Sequence, residues 1–272
     1  RKLLLQSPPG ELLQVANDVR VLLGDDSLLN SIALDVFREY NTEQMIAVTL
    51  PDSDQQVLVT KIAEVDPTHY IDPRGGQLLT VDHIKQVCVS TEPIPEEHNT
   101  PAEVQPYRKE LQDALSTYVE SSFPSAGYAV YGALEGGKVE LKVCISSAKF
   151  SPKNFWNGRW RSTWTATKSD GMWYLTGKIK VLVHYFEEGN VQLDTDYDYS
   201  VSIPAKDGDN GTQITKKIER AEQDYLTSLA EAYTNLSDGT FKELRRTLPV
   251  TRTKFPWANQ AHSLASELKR NS

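Results

Sequence analysis

Between Tyr128 and Ile203 the chain alternates polar and apolar residues almost without a break. A period of two fits extended backbone with one side buried, not a helix. Val191, Leu193, Thr195, Tyr197, Tyr199, Val201 and Ile203 interleave with Gln192, Asp194, Asp196, Asp198, Ser200 and Ser202. Val139, Leu141, Val143 and Ile145 interleave with Glu140, Lys142, Cys144 and Ser146, and Trp160, Ser162 and Trp164 with Arg161 and Thr163. Glu135-Gly136-Gly137-Lys138 is a hairpin turn back to a strand over 128–134. Leu175–Phe186 reads as a long strand ended by Glu187-Glu188-Gly189-Asn190. About five successive strands with short turns make an antiparallel meander over residues 126–204, with one polar face.

The flanks change period. Leu12, Ala16, Val19 and Leu23 repeat at helical spacing until Gly24, and Asp25-Asp26-Ser27 then offers cap oxygens for a helix with Leu28, Ile32, Val36 and Phe37 inward. Residues 1–44 therefore read as a helical stalk. Ile46/Val48, Val57/Val59 and Leu79/Val81 are short β-rich pieces of a small module over 45–89. Residues 90–106 hold four prolines and read as a linker, followed within 90–125 by a helix with Tyr107, Leu111, Leu115 and Tyr118 on one face. After the sheet, Ile214, Ile218, Ala221, Tyr225, Leu229, Ala232 and Leu236 mark a long amphipathic helix over 212–246, broken at Pro249 if not at Asp238-Gly239. The fold class is α+β.

Little in this chain points to catalysis. There is no phosphate-binding glycine loop, no dinucleotide fingerprint and no HExxH. The histidines (His69, His83, His98, His184, His262) are scattered, and Cys88 and Cys144 have no metal-ligand spacing, so two reduced, buried thiols are expected. Asp194-x-Asp196-x-Asp198 begins like a calcium loop, but Tyr199 stands where that loop needs Gly and Ala205 where it needs Glu. An acidic strand face is the reading. No catalytic residue, cofactor or metal site is nominated. No apolar run approaches the ~20 residues of a membrane span. The run Phe155-Trp156-Asn157-Gly158-Arg159-Trp160-Arg161 could stack nucleic-acid bases, but a net charge of −8 and a pI near 5.2 oppose it. Trp and Arg residues bracketing a tight Asn-Gly turn, with Trp160 and Trp164 in the sheet core, fit better.

Charge is segregated. From Lys242 onward, Lys242, Arg245, Arg246, Arg252, Lys254, Lys269 and Arg270 face only Glu243 and Glu267, so this end carries +5 and residues 1–241 carry −13. Such segregation governs association and partner choice rather than fold. The tail over 247–272 also has an apolar side, because a helix from about Ala258 aligns Ala261, Leu264, Ala265 and Leu268.

Phe150-Ser-Pro-Lys-Asn-Phe-Trp-Asn-Gly-Arg-Trp-Arg-Ser162 and Leu244-Arg-Arg-Thr-Leu-Pro-Val-Thr-Arg-Thr-Lys254 closely resemble two signatures of the F-actin capping protein α-subunit family. Asn17-Asp18-Val19-Arg20, Asp72-Pro73-Arg74 and Val183–Leu193 support the match, which extends over nearly the whole chain. The resemblance implies an obligate heterodimer with a β subunit of similar fold, the stalk helices beneath two joined sheets and a long helix from each chain across them. It implies a cytoplasmic protein of the actin cytoskeleton that binds filament barbed ends and blocks subunit gain and loss. By motif, the actin-binding positions are Lys242, Arg246, Arg252 and Lys254, with Trp257, Leu264 and Leu268 as apolar contacts. Myotrophin, CARMIL-type peptides and phosphoinositides are the regulators it implies. Phe255-Pro256 before Trp257 and Ala258-Asn-Gln-Ala261 after it depart from the family's Ile-Asp and Leu-rich pattern, where relatives dock small EF-hand calcium sensors. A second reading is a scaffold subunit of another complex whose basic tail binds phosphoinositide membranes.

Overall fold

A computed structural model describes residues 1–24, 26–123, 125–186, 190–206 and 208–236. The chain divides into two compact units, Arg1–Glu219 and Arg220–Ser272, and the last helix crosses the division.

The first unit opens with a short helix α1 (Lys2–Leu5) and the helices α2 (Leu12–Leu23) and α3 (Asp26–Glu43). Gly24 ends α2 in the left-handed region at φ 61°, its N–H donating to Arg20 O at 3.1 Å, a conformation that glycine adopts without cost. Leu4, Leu12, Val36, Phe37 and Tyr40 form the core of this bundle, with Ala16 and Val19 against it. Leu23, expected inward, is 44% exposed, and Leu13, Val21 and Leu22 nearby are more exposed still. The helices are thus apolar on more than the one side that this chain covers.

Short strands follow: β1 (Ala47–Thr49) pairs with β2 (Gln56–Leu58), while β3 (His69–Asp72), β4 (Gln77–Asp82) and β5 (Val87–Pro93) make a three-stranded sheet. Strand β3 has too short an apolar signature to read from sequence, and β5 runs into the segment expected to be a linker. Helix α4 (Gln105–Ser122) then buries Leu111, Leu115 and Tyr118.

The meander is a five-stranded antiparallel sheet in the order β10-β9-β8-β7-β6. Its strands are β6 (Gly127–Glu135), β7 (Lys138–Ser151), β8 (Trp156–Ser169), β9 (Met172–Tyr185) and β10 (Val191–Pro204). One face carries Trp160, Trp164 and Trp173, with Phe123, just after α4, 5.8 Å from Trp160 and Tyr107 of α4 5.7 Å from Trp173 between ring centres. Trp164 lies over Gly177 of the neighbouring strand. A Cβ at Gly177 would stand 2.0 Å from the indole, so this position has no room for a side chain.

The opposite face departs from the simple alternation. Cys144 and Ser146, read as polar-face residues, are buried because the small β-module packs there, with Val57, Leu58, Leu79 and Val81 in one core with Ala129, Tyr131 and Cys144. The sheet is therefore buried on both sides near β6 and β7. Both cysteines are free and buried, and burial pushes the Cys144 thiol up to about 12.

The last helix, α5 (Asn210–Leu236), begins two residues earlier than its apolar pattern suggests and spans about 40 Å at ~1.5 Å per residue. Asn210 accepts hydrogen bonds from Trp173 Nε1 at 3.1 Å and Lys206 N at 2.9 Å, tying the helix start to β9. Ile214 and Ile218 are buried. Residues 237–246 of the expected helix lie outside the described residues.

Candidate functional site

The first signature is a junction between helices and sheet. Asn157 and Gly158, expected to form a tight turn, lie inside β8 instead. Pro152–Asn154 make the reversal as one turn of 3-10 helix, and Phe155 follows it at φ 58°. The Asn-Gly pair is held extended because the Asn157 side chain is needed elsewhere: its Oδ1 accepts from Ser151 N at 3.2 Å and its Nδ2 donates to Glu11 at 2.8 Å.

Alternation along β8 then sends Asn157, Arg159 and Arg161 to one face and Trp160 to the other. The two arginines reach the end of α3. Arg159 Nη1 donates to Gln44 O at 3.2 Å, and Arg161 Nη1 donates to Glu43 O. The last carbonyls of a helix have no partner within it and carry its negative pole, so two guanidinium groups there satisfy both needs. Glu11, at the start of α2, completes the joint by accepting from Asn157 and pairing with His184 Nδ1 at 2.7 Å. His184 is buried beside it, with Asn190 at 3.1 Å from Nε2. Nothing in the sequence marks the Glu11–His184 pair, whose members are 173 residues apart. The face of Arg161, by contrast, follows from its alternation with Trp160 and Ser162, whereas Arg159 was expected beside a turn.

Strand β10 is the second feature. It is the end strand of the sheet, 14 residues long. Val191, Leu193 and Tyr197 are 57%, 44% and 38% exposed, and only Ile203 is buried. Its other face is acidic, as expected: Asp196 and Asp198 meet Lys178 of β9 at 2.6 and 3.5 Å. The hydrogen-bonded ion pair holds the Asp196 carboxyl below, and the Lys178 amine above, its ordinary range. Two of the three acids thus form a charge ladder with β9, while Asp194 lies near enough to Arg161 of β8 to favour its charge. A long, open, apolar edge invites another strand unless something covers it.

Among the described residues, no three His, Cys, Asp or Glu side chains gather as a metal site, and no helix is long and apolar enough to cross a membrane. The residues named from the tail motif, Lys242, Arg246, Arg252, Lys254, Trp257, Leu264 and Leu268, all lie outside the described residues.

A family model described as F-actin capping protein alpha subunit matches residues 1–267. This chain belongs to the F-actin capping protein α-subunit family. An F-actin-capping protein subunit alpha of Arabidopsis thaliana is 39% identical, over 98% of this chain and 90% of that relative. Its counterpart in Dictyostelium discoideum is 38% identical, over 98% and 95%, and that of Caenorhabditis elegans is 34% identical, over 97% and 93%. In fold, the chain is similar to a solved homodimeric actin capping protein alpha subunit from Plasmodium berghei, with a TM-score of 0.73 and 22% identity over 85% of this chain and 89% of that one.

Proposed function

We propose that this chain is the α half of a heterodimer that binds the barbed ends of actin filaments and stops subunits from joining or leaving. The reading rests on family membership over nearly the full length. It is carried structurally by β10, an end strand whose apolar face is left open within its unit. A β subunit presenting a matching strand and helix would cover that face. The exposed leucines of α2 are a further surface for partner helices.

Capping in this reading is binding and not chemistry. Lys242, Arg246, Arg252 and Lys254 meet the acidic actin surface. They speed encounter, and make it salt-dependent, through charge of opposite sign. Trp257, Leu264 and Leu268 supply the apolar contact that slows release. Myotrophin, CARMIL-type peptides and phosphoinositides act as regulators, the acidic ones by competing for the same cations. The protein works in the cytoplasm on the actin cytoskeleton.

Seeded elongation of pyrene-actin tests the reading. The co-expressed heterodimer should stop barbed-end growth, and Arg246→Glu with Arg252→Glu should slow capping by on the order of a hundredfold while the dimer stays intact, since like-charge contacts cost several kcal/mol. Unchanged capping would sink the tail assignment. Binding to phosphoinositide vesicles with no effect on actin would point to the membrane scaffold instead.

A further inference from the structure

Beside the helix–sheet joint, a cavity of about 220 Å³ opens between the helices, β1, β2 and β7. Arg159 lines it together with Tyr40, Gln56, Gln86, Ser146 and Phe150. We propose that this cavity binds a small oxyanion, the phosphate or carboxylate group of a soluble ligand, with Arg159 as its cationic anchor.

The observation is an uncompensated charge. Arg159 is 7% exposed, and no carboxylate among the described residues pairs with it. Its neighbour Arg161 has Glu43 and Asp194 close enough to favour its charge, whereas the charge that acts on Arg159 is that of Arg161 itself, which opposes it. Burial lowers the Arg159 guanidinium to about 10, so it is still a cation at neutral pH. Of its donors, Nη1 reaches Gln44 O, while Nε finds no acceptor. Buried charges are costly unless paired, and a guanidinium fork matches an oxyanion in shape.

The rest of the lining carries no charge to compete with an anion. Tyr40, Gln56, Gln86 and Ser146 are neutral, and the cavity wall holds no acid. Phe150 stands 5.9 Å from the Arg159 guanidinium and gives an apolar wall on one side. Glu11 is close in the joint but committed to Asn157 and His184. With a water taking about 30 Å³ in the liquid, the space admits a phosphate and its first waters.

The test uses Ala148, an exposed residue that lines the cavity and stands directly opposite Arg159 in the β7–β8 register. A carboxylate placed there by Ala148→Glu would occupy the oxyanion's position. The probe is inorganic phosphate, titrated at constant ionic strength into the full chain co-expressed with a capping protein β subunit, and read by Tm and by calorimetry. We expect a saturable rise in Tm for the natural sequence. Ala148→Glu should raise the Tm without phosphate and weaken phosphate binding by on the order of tenfold or more. Arg159→Lys, which keeps the charge but loses the fork, should bind less tightly. Phenyl phosphate should bind more tightly than phosphate if Phe150 takes part. Equal phosphate responses in the natural chain and Ala148→Glu, or no saturable response, would overturn the proposal. So would an Ala148→Glu chain that is less stable, because the cation would then need no anion.

Discussion

Strands β8 and β10 are each 14 residues long and alternate equally well, yet they end in opposite environments. On β8 the large side chains Trp160 and Trp164 are 8% and 1% exposed. On β10 Val191, Leu193 and Tyr197 face outward. Both strands obey the same period, so the difference lies in what covers them. The tryptophan face of β8 is covered within the chain, with Phe123, just after α4, against Trp160. Among the described residues of the first unit, no strand pairs with the outer edge of β10. Alternation specifies that a face will be buried, and does not say by whom.

The contrast can be broken at several points. Trp164→Ala should cost about 3–5 kcal/mol in chemical denaturation, through lost burial and the cavity left behind. Gly177→Ala should cost about 1–3 kcal/mol, because its methyl group would enter the same indole. Arg161→Met should cost a comparable or smaller amount, about 1–2 kcal/mol, since it leaves a helix-end carbonyl without its donor. Hydrogen exchange near the end of α3 should rise selectively in that variant. An effect spread evenly over the sheet would mean that the arginine does not tether the helix.

Cys144 sharpens the same comparison by pH. Its thiol lies between the sheet and the β-module, and its folded value is pushed up to about 12 from an ordinary 9. Neutral thiol is therefore favoured in the folded state. The stability this contributes is intact below pH 9 and falls as the pH rises from 9 towards 12. Cys144→Ala should flatten that part of the stability curve. An unchanged slope would place the alkaline loss elsewhere. The smallest effect belongs to β10: Leu193→Ser should alter the unassembled chain by no more than about 0.5 kcal/mol.

The sheet was legible because its period is strict and its turns are short. The helices α2, α4 and α5 were legible by spacing, and the direction of Arg161 by strand parity. Strand β3 was not, since four residues give too few alternations to count. The Asn-Gly pair misled because its turn preference is local, whereas the bonds from Asn157 to Glu11 and Ser151 are set by the tertiary fold. Burial of Cys144 and Ser146 was hidden for the same reason: a second layer, remote in sequence, covers a face that alternation marks as polar. The tail motif names Lys242 to Leu268 without giving them a place in the fold.

Strand β10 is the surface that a second subunit would cover. Leu193→Lys with Tyr197→Lys, co-expressed with a capping protein β subunit, tests it by size-exclusion chromatography and seeded elongation of the same preparation. Folded subunits that no longer co-elute and no longer cap are the expected result. An intact heterodimer that caps normally would contradict it.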